Sequence, residues 1–155
     1  MAGRIEARLA ELGITLPQPA VPIANYVPFT RSGGMVVVSG QVPMRDGRIA
    51  QTGLLGAEVD IAAGQAAARL CLINVLAQLR VACEGDLDRV ARVLRLGGFI
   101  AATASFTQHA QVMNGASDLA VEVFGDAGRH ARSTIGVASL PGGASVEVEG
   151  MFEIG

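Results

Sequence analysis

The chain has 155 residues, half of them hydrophobic, with no Trp and only 4% aromatic side chains. That length suits one domain with a core of Ala, Val, Leu and Ile, and so large an apolar share points to a subunit interface as well. A net charge of −2 with no basic run argues against a nucleic-acid partner, because phosphate binding needs clustered Lys and Arg.

Residues 3–12 read as a short amphipathic helix. Ile5, Leu9 and Leu12 share a stripe, and Gly13 ends it. Residues 1–14 therefore read as an extension packed on a single domain, residues 15–155. The N-terminus lacks an apolar signal core, and no apolar run approaches the roughly 20 residues of a membrane helix. Pro17, Pro19 and Pro22 then enforce an extended linker.

Residues 25–31 and 35–39 are strand candidates around Ser32, Gly33 and Gly34. Met35–Ser39 is a continuous apolar run of the kind covered on both faces. Gly40 follows directly, as a bulge, a close approach by a ligand, or an ordinary bend. Residues 44–57 read as a loop with weak strand character near 48–51. It lacks a phosphate-loop Lys and a Gly-x-Gly-x-x-Gly pattern, so a nucleotide site has no support.

Asp60 can cap a long helix over about residues 61–83. Ala63, Ala66, Leu70, Ile73 and Ala77 recur at helical spacing, with Gln65, Arg69 and Gln78 opposite and Asn74 as a structural hydrogen-bonder. Cys71 and Cys83 both fall in it, too far apart for a local disulfide. With two scattered histidines they give no zinc spacing, so no metal is expected, and a reduced, cytoplasmic protein is.

Residues 89–102 alternate as a long strand, with Gly97 and Gly98 marking a bulge or close packing. A second helix runs over about 107–123, with Val112, Leu119 and Val123 buried. Gly115 weakens it by roughly 1 kcal/mol relative to Ala, which suggests that the position needs room. Gly125 ends the helix. Met35, Met113 and Met151 read as core or interface filler.

The last stretch is the most informative. Two alternating runs flank Pro141, Gly142 and Gly143, a β-hairpin signal. If Ile135 and Val137 share a face with Val146 and Val148, the other face carries Arg132, Thr134, Glu147 and Glu149. Arg132 and Glu147 would then lie roughly 7–13 Å apart. That gap suits a small anion held by the Arg and worked on by the Glu. The plainer alternative is an Arg132 ion pair with Glu147 or Glu149 on a solvated face. His130 shares parity with Arg132 and faces either the same cleft or solvent. The order of elements fits an α+β layer architecture, a mixed sheet with two helices on one face.

Asn25, Tyr26, the run Val38–Pro43, Asp46, Gly47, Gln65, Asn74, Asn114 and above all Ala131, Arg132 and Ser133 followed by Leu140, Pro141 and Val146–Glu149 carry a resemblance. Over roughly residues 15–154 the chain resembles the YjgF/RidA family. The resemblance implies a chorismate-mutase-like fold and a homotrimer with clefts between subunits. It implies hydrolysis of small 2-imino and enamine acids to 2-keto acids and ammonia, without a cofactor. Arg132 would clamp the substrate carboxylate, and Glu147 would orient water and move protons. Thr134 would offer a backbone amide, and Tyr26, Ser39, Gly40 and Asn114 would line the cleft. A non-catalytic carboxylate-binding module and an endoribonuclease are the other functions to weigh, the latter disfavoured by charge. Thr134 in place of a common cysteine, the N-terminal helix and Arg129-His130 mark a divergent subgroup.

Overall fold

The computed structural model describes residues 3–19 and 25–155; Pro22, expected in the linker, lies outside them. In chain order the elements are α1 (Arg4–Glu11), β1 (Phe29–Ser32), β2 (Met35–Gln41), β3 (Met44–Arg45), β4 (Arg48–Ile49), α2 (Ile61–Ala82), β5 (Val90–Ala101), α3 (His109–Phe124), β6 (Ala131–Val137) and β7 (Val146–Ile154). The main sheet has the order β1-β2-β7-β5-β6, and β3 and β4 form a small separate hairpin. Among the described strands only β5 and β6 pair in parallel, joined by the α3 crossover that a parallel pair requires. The sheet is therefore mixed, with both long helices packed on one face.

Local chemistry accounts for the element ends. Asp60 accepts from the Ala63 amide at 2.8 Å and caps α2. Asp46 and Gly47, both at positive φ, close the β3–β4 turn. Gly125 ends α3 at φ +63°. Asn74 donates to the Val42 and Met44 carbonyls, both at 3.1 Å, which ties the β3–β4 hairpin to α2.

The core lies between the sheet and the helices. Val36, Val148, Phe152, Leu96 and Ile100 from the sheet meet Leu72, Val75, Leu76, Val112 and Leu119. Each fully buried aliphatic of this kind contributes roughly 1.5–3 kcal/mol. The expected stripe on α2 is displaced: Ala66 is exposed, and Gln78 is only 2% exposed. The helix is apolar almost all round, so periodicity marks its buried side poorly. Contrary to the reading from apolar runs, α2 is long and apolar enough to cross a membrane, but it is mostly buried inside the fold, as a core helix is. Gly97 and Gly98 sit in regular register on both ladders, and the irregularities of β5 fall nearer its start. Close packing explains the pair, since a Cβ on Gly98 would lie 2.5 Å from Met113 Sδ.

Ile5 and Leu9 place α1 in the same core. Its N-terminal amides are satisfied from a distance: the Asp88 carboxylate accepts from Arg4 at 2.9 Å and Ile5 at 2.8 Å. The Ile5 amide and then the Arg4 amide hold the Asp88 carboxyl below its ordinary range. A depressed carboxyl contributes stability above its unfolded pKa and loses it as pH falls through the folded value. Protection factors of the Arg4 and Ile5 amides, taken against the intrinsic exchange rate at each pH, should therefore fall on acidification before the sheet opens, and Asp88→Ala should produce the same fall at neutral pH. Unchanged protection in that variant would show that α1 is held by its apolar contacts alone.

Two expectations for the last stretch fail. β6 and β7 are not hairpin partners, because β5 lies between them and pairs with both. The turn at Pro141–Gly143 does reverse the chain. Turn residues specify a reversal of direction, but not which strand becomes the neighbour; the 12-residue β5 takes that place. The facing of the side chains also differs. Leu96 is opposite Arg132 and Gly150, whereas Phe99 is opposite Ile135 and Glu147. Residues opposite one another share a face. Arg132 and Thr134 thus lie on the helix side with Val148, and Glu147 and Glu149 lie on the bare side with Ile135. Alternation fixes parity within a strand, but an edge strand can expose its apolar parity, and Ile135 is 51% exposed.

The Met35–Ser39 run is likewise covered on one face only. Val36 and Val38 are buried, whereas Met35 is 41% and Val37 40% exposed.

Candidate functional site

The seven residues singled out from the sequence fall into two clusters. The first lies between β6 and α3. The Arg132 side chain folds over the helix, and its Nη1 donates to Asn114 Oδ1 and to Ser117 Oγ, both at 2.9 Å. Its Nη2 donates to the Ala110 carbonyl at 3.4 Å. Asn114 and Ser117 are three residues apart and so share one side of α3. Thr134 follows Arg132 on the same face, and its Oγ1 is buried without a hydrogen-bond partner. His130 closes the group: Nε2 is 2.9 Å from Ser117 Oγ, and Nδ1 is 2.6 Å from the Gly128 carbonyl. The solvent-facing alternative for His130 is thus replaced by a partly buried place behind Arg132.

The second cluster lies on the bare face, where β2 meets β7. Their ladder slips between Val38 and Gln41, so Ser39 and Gly40 form an irregular step. A Cβ at Gly40 would meet the Glu147 carboxylate, which would have to swing aside. Of the alternatives at this glycine the bulge describes it, and the group nearest it is a side chain of the same chain. Ser39 Oγ donates to the Val27 carbonyl at 2.9 Å and anchors the segment that carries Tyr26, which is 55% exposed.

Burial, and then the neighbouring Glu149 carboxylate, push the Glu147 carboxyl above its ordinary range. Arg95 pairs with Glu149 at 3.3 Å rather than with Glu147. Arg132 has no carboxylate among its hydrogen-bond acceptors, so the ion-pair alternative does not describe it.

The two clusters do not meet within the chain. Two strand spacings, about 10 Å, separate β6 from β7, and the clusters face opposite sides of the sheet. Arg132, Asn114, Ser117, His130 and Thr134 lie together on the helix side, and Ser39, Gly40 and Glu147 lie together on the bare side. A cavity of about 860 Å³ between residues 12–19, the β3–β4 hairpin and α2 includes neither Arg132 nor Glu147. Among the described residues no three His, Cys, Asp or Glu side chains gather to hold a metal.

Sequence reasoning missed Ser117 entirely and left His130 undecided. The spacing of Asn114 and Ser117 was the available signal, but it becomes useful only once Arg132 is known to lean on α3.

Residues 6–148 match the family model described as "YjgF/chorismate mutase-like, putative endoribonuclease". Protein TCP17 of Trypanosoma cruzi is 49% identical over 154 residues, covering 99% of this chain and 96% of that protein. The crystal structure of Atu1372, a protein of unknown function from Agrobacterium tumefaciens, has a TM-score of 0.92 at 52% identity, covering 97% of this chain and 92% of that one. The structure of Escherichia coli TdcF with bound serine has a TM-score of 0.63 at 26% identity, covering 89% of this chain and 94% of that one. With likeness over nearly its whole length, the chain belongs to the YjgF/chorismate-mutase-like family.

Proposed function

We propose that the protein hydrolyses small 2-imino acids to 2-keto acids and ammonia, in clefts where the Arg132 cluster of one copy meets the Glu147 cluster of another. The observation that carries this reading is the division itself: a cation with amide and hydroxyl partners on one face, a perturbed carboxylate on the other. Neither cluster suffices alone, and a homotrimer in which the β6 edge of one copy meets the bare sheet face of the next would join them. The exposure of Met35, Val37 and Ile135 on that face supports such an assembly. Serine bound to the related TdcF supports a small amino-acid-like ligand with a carboxylate.

The chemistry asks little of the protein. The imine carbon is electrophilic, so orientation and a proton shuttle suffice. Arg132 holds the carboxylate. Glu147 takes a proton from water as the new C–O bond forms at C2, then passes it to the nitrogen. Glu147 next takes the proton of the new C2 hydroxyl and delivers it to the nitrogen as well, the C2–N bond breaks, ammonia leaves, and the carbonyl of the keto acid remains. No step needs an organic cofactor. The acidic balance of the chain favours this reading over RNA cleavage.

The test is ammonia and keto-acid release from 2-iminopropanoate and 2-iminobutanoate generated in situ. Glu147→Gln should lower kcat at least about 100-fold while KM changes little. The raised carboxyl must be ionised to act as base, so the acid limb of kcat should lie above the ordinary glutamate range. Binding of keto acids without ammonia release would instead make the protein a carboxylate-binding module, and no binding at all would end both readings.

A further inference from the structure

We infer that Ser117 and His130 are positioning residues that determine which edge of the Arg132 guanidinium is offered to the ligand carboxylate. The inference rests on the reading of Arg132 as the carboxylate grip.

Hydrogen accounting gives the network a direction. The Gly128 carbonyl can only accept, so His130 Nδ1, 2.6 Å away, carries a hydrogen. In the neutral ring Nε2 is then a bare acceptor. The Ser117 hydroxyl, 2.9 Å away, must donate to it. With its hydrogen committed, Ser117 Oγ presents lone pairs, and one accepts from Arg132 Nη1. The order runs from Arg132 to Ser117 to His130 to the Gly128 carbonyl, each group donating to the next.

The same accounting leaves a defined residue of donors. A guanidinium has five N–H groups. Asn114 Oδ1 and Ser117 Oγ take both on Nη1, and the Ala110 carbonyl takes one on Nη2. What remains is Nε–H and one Nη2 hydrogen, on nitrogens that share an edge. With the Ala110 carbonyl on the Nη2 hydrogen that faces Nη1, that edge is a fork matching the two oxygens of a carboxylate. If the Ser117 hydroxyl pointed its hydrogen at Arg132 instead, the Nη1 bond would be lost and the guanidinium could turn. A His130 with its hydrogen on Nδ1 gives the hydroxyl hydrogen a single destination.

Two measurements on the full chain test this. In nitrogen NMR spectra the neutral His130 ring should be the Nδ1–H tautomer; the Nε2–H tautomer would overturn the inference. In calorimetric titrations with 2-oxobutanoate, Ser117→Ala and His130→Ala should each raise Kd about tenfold, the scale of one hydrogen bond to a charged group. Because both act through one chain of bonds, the double variant should be no worse than Ser117→Ala. Ser117→Thr keeps the hydroxyl and should restore Kd to within about threefold, which a simple packing role would not produce. Arg132→Ala separates the two ideas. If it abolishes binding while Ser117→Ala binds like wild type, the positioning role is wrong and the grip stands. If Arg132→Ala binds like wild type, the grip is wrong and the positioning role falls with it.

Discussion

Arg132→Ala is expected to raise Kd for 2-oxobutanoate at least about 100-fold and to remove turnover of the corresponding imine. The free edge of the guanidinium can make two charge-assisted hydrogen bonds, each worth roughly 1.5–3 kcal/mol. Losing one of them is already about tenfold, and losing both leaves the carboxylate without a counter-charge. Arg132→Lys should not restore binding. An ammonium is a point charge on a flexible stem, and it cannot satisfy Asn114 and Ser117 while also presenting a planar fork. Stability should change little in either variant, since Asn114, Ser117 and the Ala110 carbonyl are not fully buried and water can replace Arg132. Thermal melting run beside the titrations separates a lost ligand from a lost fold. Near-wild-type affinity in Arg132→Ala would remove the basis of the proposed activity.

Gly115→Ala is expected to destabilise the protein even though helix propensity favours the change by about 1 kcal/mol. A Cβ at this position would collide with the backbone carbonyl oxygen of Gln65. That atom belongs to α2 and cannot step aside as a side chain would. The two helices must separate or slide, and overpacking of this kind costs about 1–3 kcal/mol or more. A drop in Tm of roughly 5–10 °C should follow for a chain of this size. The shift would also be felt at the site, because Asn114 is the next residue and Ser117 lies two further along α3. A rise in Tm would mean that the helices are not held at this distance.

Much of the architecture was legible from residue chemistry. Asp60 as a cap, Gly125 as a stop, Gly115 as a packing gap and Asn74 as a hydrogen-bonder all keep their expected parts. Each depends on groups within a few residues, or on a side chain with one plausible use. The buried side of α2 was not legible. A helix that is apolar nearly all round carries little periodic contrast, so Ala66 and Gln78 exchanged places between surface and core.

The geometry of the candidate site was not legible in the sequence. Arg132 and Glu147 stand out by type and alternation, and Tyr26, Ser39, Gly40, Asn114 and Thr134 join them through the family resemblance, yet the grouping of all seven depends on β5. That strand enters between β6 and β7 and places the cation and the carboxylate on opposite faces.

Local information in the chain determined which segments become helices and strands, where they stop, and which side chains carry usable chemistry, because propensity, capping and turn formation act over a few residues. Strand neighbours, the buried side of each strand and the partners of Arg132 were decided only by the tertiary structure. These depend on contacts between residues far apart in the chain, where total burial outweighs any local signal.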